Sequence, residues 1–520
     1  MTFLLEQPAR PAGSRSAGAG WYRRLAPSLS DFLFVFFLAW PFLLHRPGWN
    51  VLLEDGDTGW HIRAGEIILD QRAVPRSDPF SFSKPGAPWF AWEWLADALM
   101  AALHRAFGLK GIVLAAGVTV ALFGTFLLRF MLWRGASPLI ALPVTLVCFG
   151  ASSVHYLARP HLFTLIFLVA ALWLIEQDRR APTRAVWLLA PLTGLWANLH
   201  GGFPVLLVVL GSVAAGGLIE SWWRPAERAE RRRQARRYLG IAGAALGASL
   251  INPYGWELHR HIAGYLRSDW IRTVVEEFQS PSFRQENVLQ YEILLLAGLG
   301  CAGCLLARRR AVEAHWILVG AHLSLGAVRH IPVYAILAGP LIAVELSRFW
   351  ACWASRAGKG STADVLRQFD RDLQPGFRRS TWWPAVFVVL LASGVVPALW
   401  PADFPESRFP VGLIAAHQDR IRGARLFTHD QWGDYLIYRL HPEVKVFMDG
   451  RTDFYGPEIG DDYIALLGGR PGWLEILGRY RFDLVLIPAD APLASLLAVN
   501  AGWELVDQTA EAVLYSRRRP

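Results

Sequence analysis

Glu54-Asp55-Gly56-Asp57-Thr58-Gly59-Trp60-His61 sets three carboxylates within four positions, close enough to repel one another unless a proton or a positive charge lies between them. A turn at Gly56 lets one carboxylate serve as a general base and another hold a neighbouring donor or a divalent cation such as Mg2+ or Mn2+. A solvated loop or a helix cap accounts for the same residues. Two arginines, each beside a histidine and a proline, are suited to grip a phosphate in a bidentate fork: Arg159-Pro160-His161 and Arg329-His330-Ile331-Pro332. His61 and His200 add polar groups that can hydrogen-bond a substrate. Arginines snorkelling to lipid headgroups and satisfied interfacial histidines are the ordinary alternatives. No His-x-x-x-His spacing occurs among these four histidines, so a zinc site is not indicated.

These residues must be positioned by membrane helices. The chain is 53% hydrophobic and only 18% charged, and it carries 24 tryptophans. Apolar runs between Leu29 and Trp400 predict about eleven transmembrane helices, several shorter than the ~20 residues of an ideal crossing. They fall near Leu29–Leu44, Gly111–Trp133, Leu139–Tyr156, Leu162–Ile175, Val186–Asn198, Phe203–Trp222, Leu239–Leu250, Tyr291–Leu306, His315–Val328, Ile331–Trp350 and Trp382–Leu399. The net charge of +9 does not signal nucleic acid, because the arginines gather in alternate loops such as Arg179-Arg180 and Arg231-Arg232-Arg233. That alternation predicts a multi-pass protein of a bacterial inner membrane, with a cytoplasmic N-terminal segment (1–28) and an extracytoplasmic C-terminus. The transmembrane domain covers 29–400 and includes an outer loop, 50–110. Asp31 is the main charge expected inside a span. Cys301-x-x-Cys304 lies in an apolar run and reads as small core residues.

The tail, 401–520, predicts a small α/β domain. Its expected strands are Arg425–Thr428, Val444–Met448, Leu484–Pro488 and Ala512–Ser516, with helices near Asp434–Leu440, Tyr463–Leu467, Trp473–Tyr480 and Ala491–Asn500. Asp449-Gly450-Arg451 is expected as an Asp–Arg pair at a strand end, or as an acceptor-binding element. Glu276-Glu277 offers a second acidic group or a solvated pair.

The order of first helix, acidic outer loop with an amphipathic helix, many further spans and an outer tail resembles the GT-C superfamily of glycosyltransferases. Asp57-x-x-x-His61 looks like that superfamily's acidic first-loop motif. The chain also resembles a bacterial branch carrying Asp78-Pro79-Phe80-Ser81-Phe82, Glu93-Trp94-Leu95, Asn198-Leu199-His200-Gly201-Gly202, Asn252-Pro253-Tyr254-Gly255, Trp432-Gly433-Asp434-Tyr435 and Asp449-Gly450-Arg451. Thr58 departs from the mannosyltransferase pattern, where an acidic residue follows the Asp, and leaves the base open between Asp55 and Asp57. The resemblance implies a polyprenyl-phosphate sugar donor within the membrane lipid and an acceptor that is a glycan, lipid or protein. Asp57 and Asp55 would then be catalytic, and His61, Arg159, His161, His200, Arg329 and His330 would bind substrate. The alternatives are a lipid or solute transporter and a non-catalytic envelope-polysaccharide assembly protein. In an enzyme, Asp57, Arg159 and Arg329 should line one cavity.

Overall fold

The computed structural model describes residues 26–43, 48–284, 288–379, 381–393 and 400–518, so nearly all of the 1–28 segment lies outside the described residues. Helices stand at every apolar run predicted above, and five among the described residues are long and apolar enough to cross a membrane: Trp94–Arg134, Pro138–His155, Pro204–Trp223, Leu289–Ala307 and Val328–Ala354. The chain is a multi-pass helical membrane protein. The first apolar helix, α1 (Leu29–Ala39), is shorter. Its Asp31 is not a charge at membrane depth. It closes a capping box with Ser28, whose backbone N–H donates to Asp31 Oδ2 at 2.6 Å, and Thr381 donates to the same oxygen at 2.6 Å.

Helix α2 (Asp57–Gln71) lies against α3 (Trp94–Arg134), which breaks its own line at Gly108, where φ is +63°. The part before the break belongs to the outer loop. The part after it enters the bundle beside α4 (Pro138–Ser152) and α5 (Leu162–Arg180). Then follow α6 (Leu189–Leu199), α7 (Pro204–Trp223), α8 (Arg228–Ser249), α9 (Trp256–Arg267), α10 (Asp269–Val274), α11 (Leu289–Ala307), α12 (Ala311–Gly326) and α13 (Ile331–Ala354). At the end of the bundle where α3 and α5 finish, buried Glu176, Glu313 and Glu345 are paired with the arginines of the basic loops. Arg179 contacts Glu176 at 2.7 Å and Glu313 at 3.0 Å, and Arg348 contacts Glu345 at 2.6 Å. Cys301 packs as a buried small residue on α11 and Cys304 is half-buried; both are free thiols. Beyond the bundle come the amphipathic α14 (Thr362–Arg378) and the apolar α15 (Trp383–Ala392). The end of the last expected span, 394–399, is outside the described residues.

The tail begins with α16 (Val411–Ala416) and α17 (Gln418–Ile421) and builds a four-stranded sheet from β1 (Leu426–Thr428), β2 (Leu484–Pro488), β3 (Trp503–Gln508) and β4 (Ala512–Arg517). The spatial order is β1-β2-β4-β3, with β1 parallel to β2 and the other pairs antiparallel. Around it are α18 (Asp430–Leu440), α19 (Thr452–Leu467), α20 (Trp473–Tyr480) and α21 (Pro492–Ala498). Two expectations change here. Val444–Met448 does not join the sheet. Its apolar side chains bury against the outer loop, where the Val446 N–H donates to the Phe80 carbonyl at 3.0 Å and Phe82 N–H donates to the Val446 carbonyl at 2.9 Å. The fourth strand is β3, whose Glu504 and Asp507 mask it in sequence, because an edge strand tolerates charge on its open side.

The tail is held on the outer loop by a buried cation. Arg451 meets Asp449 Oδ2 at 2.6 Å and Asp78 Oδ1 at 2.8 Å, and lies over the rings of Trp89, Phe80 and Phe454 at 4.7, 5.0 and 5.0 Å. Asp449 and Arg451 thus form the expected pair, and it extends to Asp78, 371 positions before Asp449. Arg63 of α2 adds a hydrogen bond from Nε to the Tyr438 carbonyl at 2.7 Å.

Candidate active site

The acidic turn folds locally. Asp55 Oδ1 accepts the Asp57 N–H at 2.9 Å and starts α2, so Asp57 sits in the first turn, where the helix dipole favours negative charge. Thr58, the residue that departs from the acidic pattern, donates its hydroxyl to the Ala158 carbonyl at 3.1 Å. The Ala158 N–H in turn donates to the Leu52 carbonyl at 2.8 Å. These bonds bring the next residue, Arg159, onto the acids. Its guanidinium contacts Asp57 Oδ2 at 2.6 Å, Asp55 Oδ2 at 2.8 Å and Glu277 Oε1 at 3.0 Å.

One guanidinium cannot neutralise three carboxylates. Burial raises the pKa values of Asp55 and Asp57, against the pull of Arg159 and with the push of Glu277. Glu277 behaves oppositely: burial would raise it, but Arg159, His155 and Arg329 hold it at about 2. Of the Glu276-Glu277 pair, only Glu277 faces the site, while Glu276 is exposed. The tail closes the other side. Asp434 of α18 is fully buried, its Oδ1 accepts the Gly450 N–H at 3.0 Å, and burial together with Asp57 and Asp449 raises its pKa. A Cβ on Gly450 would fall 1.9 Å from Asp57 Oδ1 and 2.9 Å from Asp434 Oδ2, so only glycine lets the tail backbone come this close.

A cavity of about 430 Å³ opens in front of this cluster. Asp57, His61, Arg159, His161, His200, Arg329 and His330 all line it; Asp55 stands behind, holding Arg159. The expected site residues thus converge from four separate stretches of chain. Their surroundings differ. His161 is turned to the His155 carbonyl, Nε2 to O 2.6 Å, and His330 Nδ1 to the Leu323 carbonyl at 3.2 Å. Arg329 lies over the Phe278 ring at 4.6 Å, and among the described residues no carboxylate forms an ion pair with it. One wall is apolar, formed by Leu165, Val205, Val208, Leu266, Leu323 and Val333.

Sequence reasoning missed a further acidic pair, Glu93 and Asp97. Asp97, buried in α3, holds His61 Nδ1 at 2.6 Å, and Glu93 lies 3.6 Å from His61 Nε2 and 3.5 Å from His200 Nε2. The signal available was a pair of carboxylates at i and i+4 opening an otherwise apolar run. Glu93 was visible only inside a Trp-rich motif. The expected divalent-cation site at Asp55 and Asp57 does not fit the side chains as they stand. Arg159 already occupies the face of both carboxylates, and no group of three or more His, Cys, Asp or Glu is arranged to hold an ion among the described residues.

A helical membrane bundle with an acidic loop helix and a docked α/β tail is this chain's fold, and solved structures align with it over most of its length. The oligosaccharyltransferase of Archaeoglobus fulgidus in the apo form aligns with a TM-score of 0.52 at 11% identity, over 90% of this chain and 70% of that one. AglB of the same organism, in complex with an inhibitory peptide and a dolichol-phosphate, aligns at 0.50 and 11% identity over 94% and 74%. ArnT from Cupriavidus metallidurans bound to undecaprenyl phosphate aligns at 0.48 and 14% identity over 96% and 98%. The sequence matches no protein-family model and no curated protein. The chain therefore shares its fold with these two oligosaccharyltransferase structures.

Proposed function

We propose that this protein is a membrane glycosyltransferase that moves a sugar from a polyprenyl-phosphate donor to an acceptor on the extracytoplasmic face of a bacterial inner membrane. The single observation that carries the reading is the cavity that joins an acid, Asp57, two cations, Arg159 and Arg329, and an apolar wall. Those are the parts such a transfer requires: a base for the acceptor, fixed positive charge for the leaving phosphate, and an apolar path for the lipid. A fold shared with a protein that holds a dolichol-phosphate supports the same reading.

In this mechanism the acceptor heteroatom attacks the anomeric carbon, its proton passes to Asp57, and the bond from that carbon to the phosphate oxygen breaks. The two arginines divide the work. Arg159 is saturated by three carboxylates and fixes their positions, so it acts on the substrate mainly through Asp57. Arg329, which forms no ion pair among the described residues, supplies the charge that meets the phosphate. Eleven crossings, a cytoplasmic N-terminus and an extracytoplasmic tail complete the proposal. They are supported by the basic loops that gather at the end of the bundle opposite the cavity. The transporter alternative loses its chief sequence support, since Asp31 is a helix cap. The test is Asp57→Asn in the native host, with surface glycan and protein level measured together. Loss of glycan at normal protein level is expected; full glycosylation by the variant overturns the reading.

A further inference from the structure

Glu93 stands at the mouth of the first turn of α3, facing the cavity, and the proposed transfer gives it no task. The groups around it come from every element packed there: His61 from α2, Asp97 from α3, Arg159 before α5, His200 after α6, Arg329 before α13 and Asp453 from α19. Hydrogen bonds assign the two imidazole tautomers. His200 Nδ1 accepts the Gly202 N–H at 3.0 Å and the Thr164 hydroxyl at 2.8 Å, while that hydroxyl accepts the Trp196 indole N–H at 3.0 Å. The His200 proton is therefore on Nε2, pointing at Glu93 Oε1. His61 Nδ1 lies 2.6 Å from Asp97 Oδ1; with Asp97 as the acceptor, the His61 proton is on Nδ1 and a lone pair on Nε2 points at Glu93 Oε2. One oxygen of Glu93 thus faces a donor and the other an acceptor, the pattern that suits a neutral carboxyl with its proton on Oε2. Both gaps, 3.5 and 3.6 Å, exceed a normal hydrogen bond, so that proton is not locked against His61 and can turn to a ligand.

Resting on the transferase reading, we infer that Glu93 is a second catalytic residue, a carboxylic acid that hydrogen-bonds the lipid phosphate between Arg159 and Arg329 and protonates it as it leaves. An ionised carboxylate at this point would repel the phosphate. As the anomeric carbon–oxygen bond breaks, its electron pair stays on the phosphate oxygen, which takes the Glu93 proton. The acceptor's proton goes to Asp57, and its transfer through cavity water restores the carboxyl. The net reaction moves one proton from acceptor to phosphate. Burial supports the role, pushing Glu93 up to about 7 against the pull of Arg159, of a hydrogen bond from the Gly201 backbone and of Arg329.

The test uses the full-length protein in lipid nanodiscs, with undecaprenyl phosphate as the probe and inorganic phosphate titrated in parallel, from pH 6 to pH 9. Wild-type affinity for the lipid should fall by up to about tenfold per pH unit above about pH 7, as linkage to one proton requires. Glu93→Gln, a neutral donor at every pH, should lack this loss and show only the phosphate's own titration, which the two proteins share and which cancels in the comparison. Glu93→Asp should bind more weakly and retain the pH dependence, which covers the case in which the amide disturbs folding. Inorganic phosphate should bind at least tenfold more weakly than the lipid; equal binding would overturn the lipid as the source of the phosphate. A Glu93→Gln profile that follows the wild type overturns the donor assignment alone. No binding of the lipid by either protein at any pH overturns the transferase reading beneath it.

Discussion

Replacing Gly450 by alanine should pry the tail away from the acidic turn. The added Cβ would lie 1.9 Å from Asp57 Oδ1 and 2.9 Å from Asp434 Oδ2. Neither carboxylate can rotate aside cheaply, because Asp57 Oδ2 is held by Arg159 at 2.6 Å and Asp434 Oδ1 accepts the Gly450 N–H at 3.0 Å. The seam must open by roughly 1 Å or more, and overpacking on that scale costs about 1–3 kcal/mol. That is equivalent to roughly 5- to 160-fold more frequent local opening. Hydrogen–deuterium exchange should therefore quicken at the amides of Gly450–Phe454 and at the start of α2, with surface glycan reduced. Gly412→Ala is the control, since a Cβ there meets nothing within 4 Å and Gly412 lies inside a helix. Unchanged exchange at the seam in Gly450→Ala would refute the argument that the tail backbone completes the site.

Arg159→Gln should strip the shared partner from Asp55, Asp57 and Glu277 and cost about 3–5 kcal/mol, read as a lower unfolding temperature in detergent at neutral pH. The pH dependence has a definite sign. Glu277 is held at about 2, below its ordinary 4.5, so its stabilising contribution is full above 4.5 and fades as pH falls toward 2. The wild type should lose that increment across this window and Arg159→Gln should show a flatter profile; identical slopes would contradict the assignment. Arg451→Lys should fail to replace the arginine, because an ammonium cannot bridge Asp449 and Asp78 while lying flat against the Trp89, Phe80 and Phe454 rings. Chymotrypsin should then cut the 78–84 segment after Phe80 or Phe82 faster than in the wild type, and wild-type resistance would count against the bridge.

Much of the architecture was legible in the chain. Apolar runs are contiguous and set by lipid, so every predicted span falls on a helix, and the basic loops mark one end of the bundle. Strand β2 emerges at its expected limits, because four buried aliphatic residues and the terminal proline are a local signal. Polar residues that interrupt apolar runs, such as Arg159, His200 and Arg329, could be singled out because charge at a helix end needs a reason. What those residues do to one another could not be read. Arg159 and Asp55 are 104 positions apart, and their contact depends on how α2, α5 and the intervening loops pack. The same holds for Val444–Met448, whose alternation announces a strand but cannot say that its partner is the outer loop. Glu93, Asp97 and Asp434 look like ordinary carboxylates in sequence. Only tertiary burial, which removes water and leaves few cations to share, turns them into groups whose protons matter.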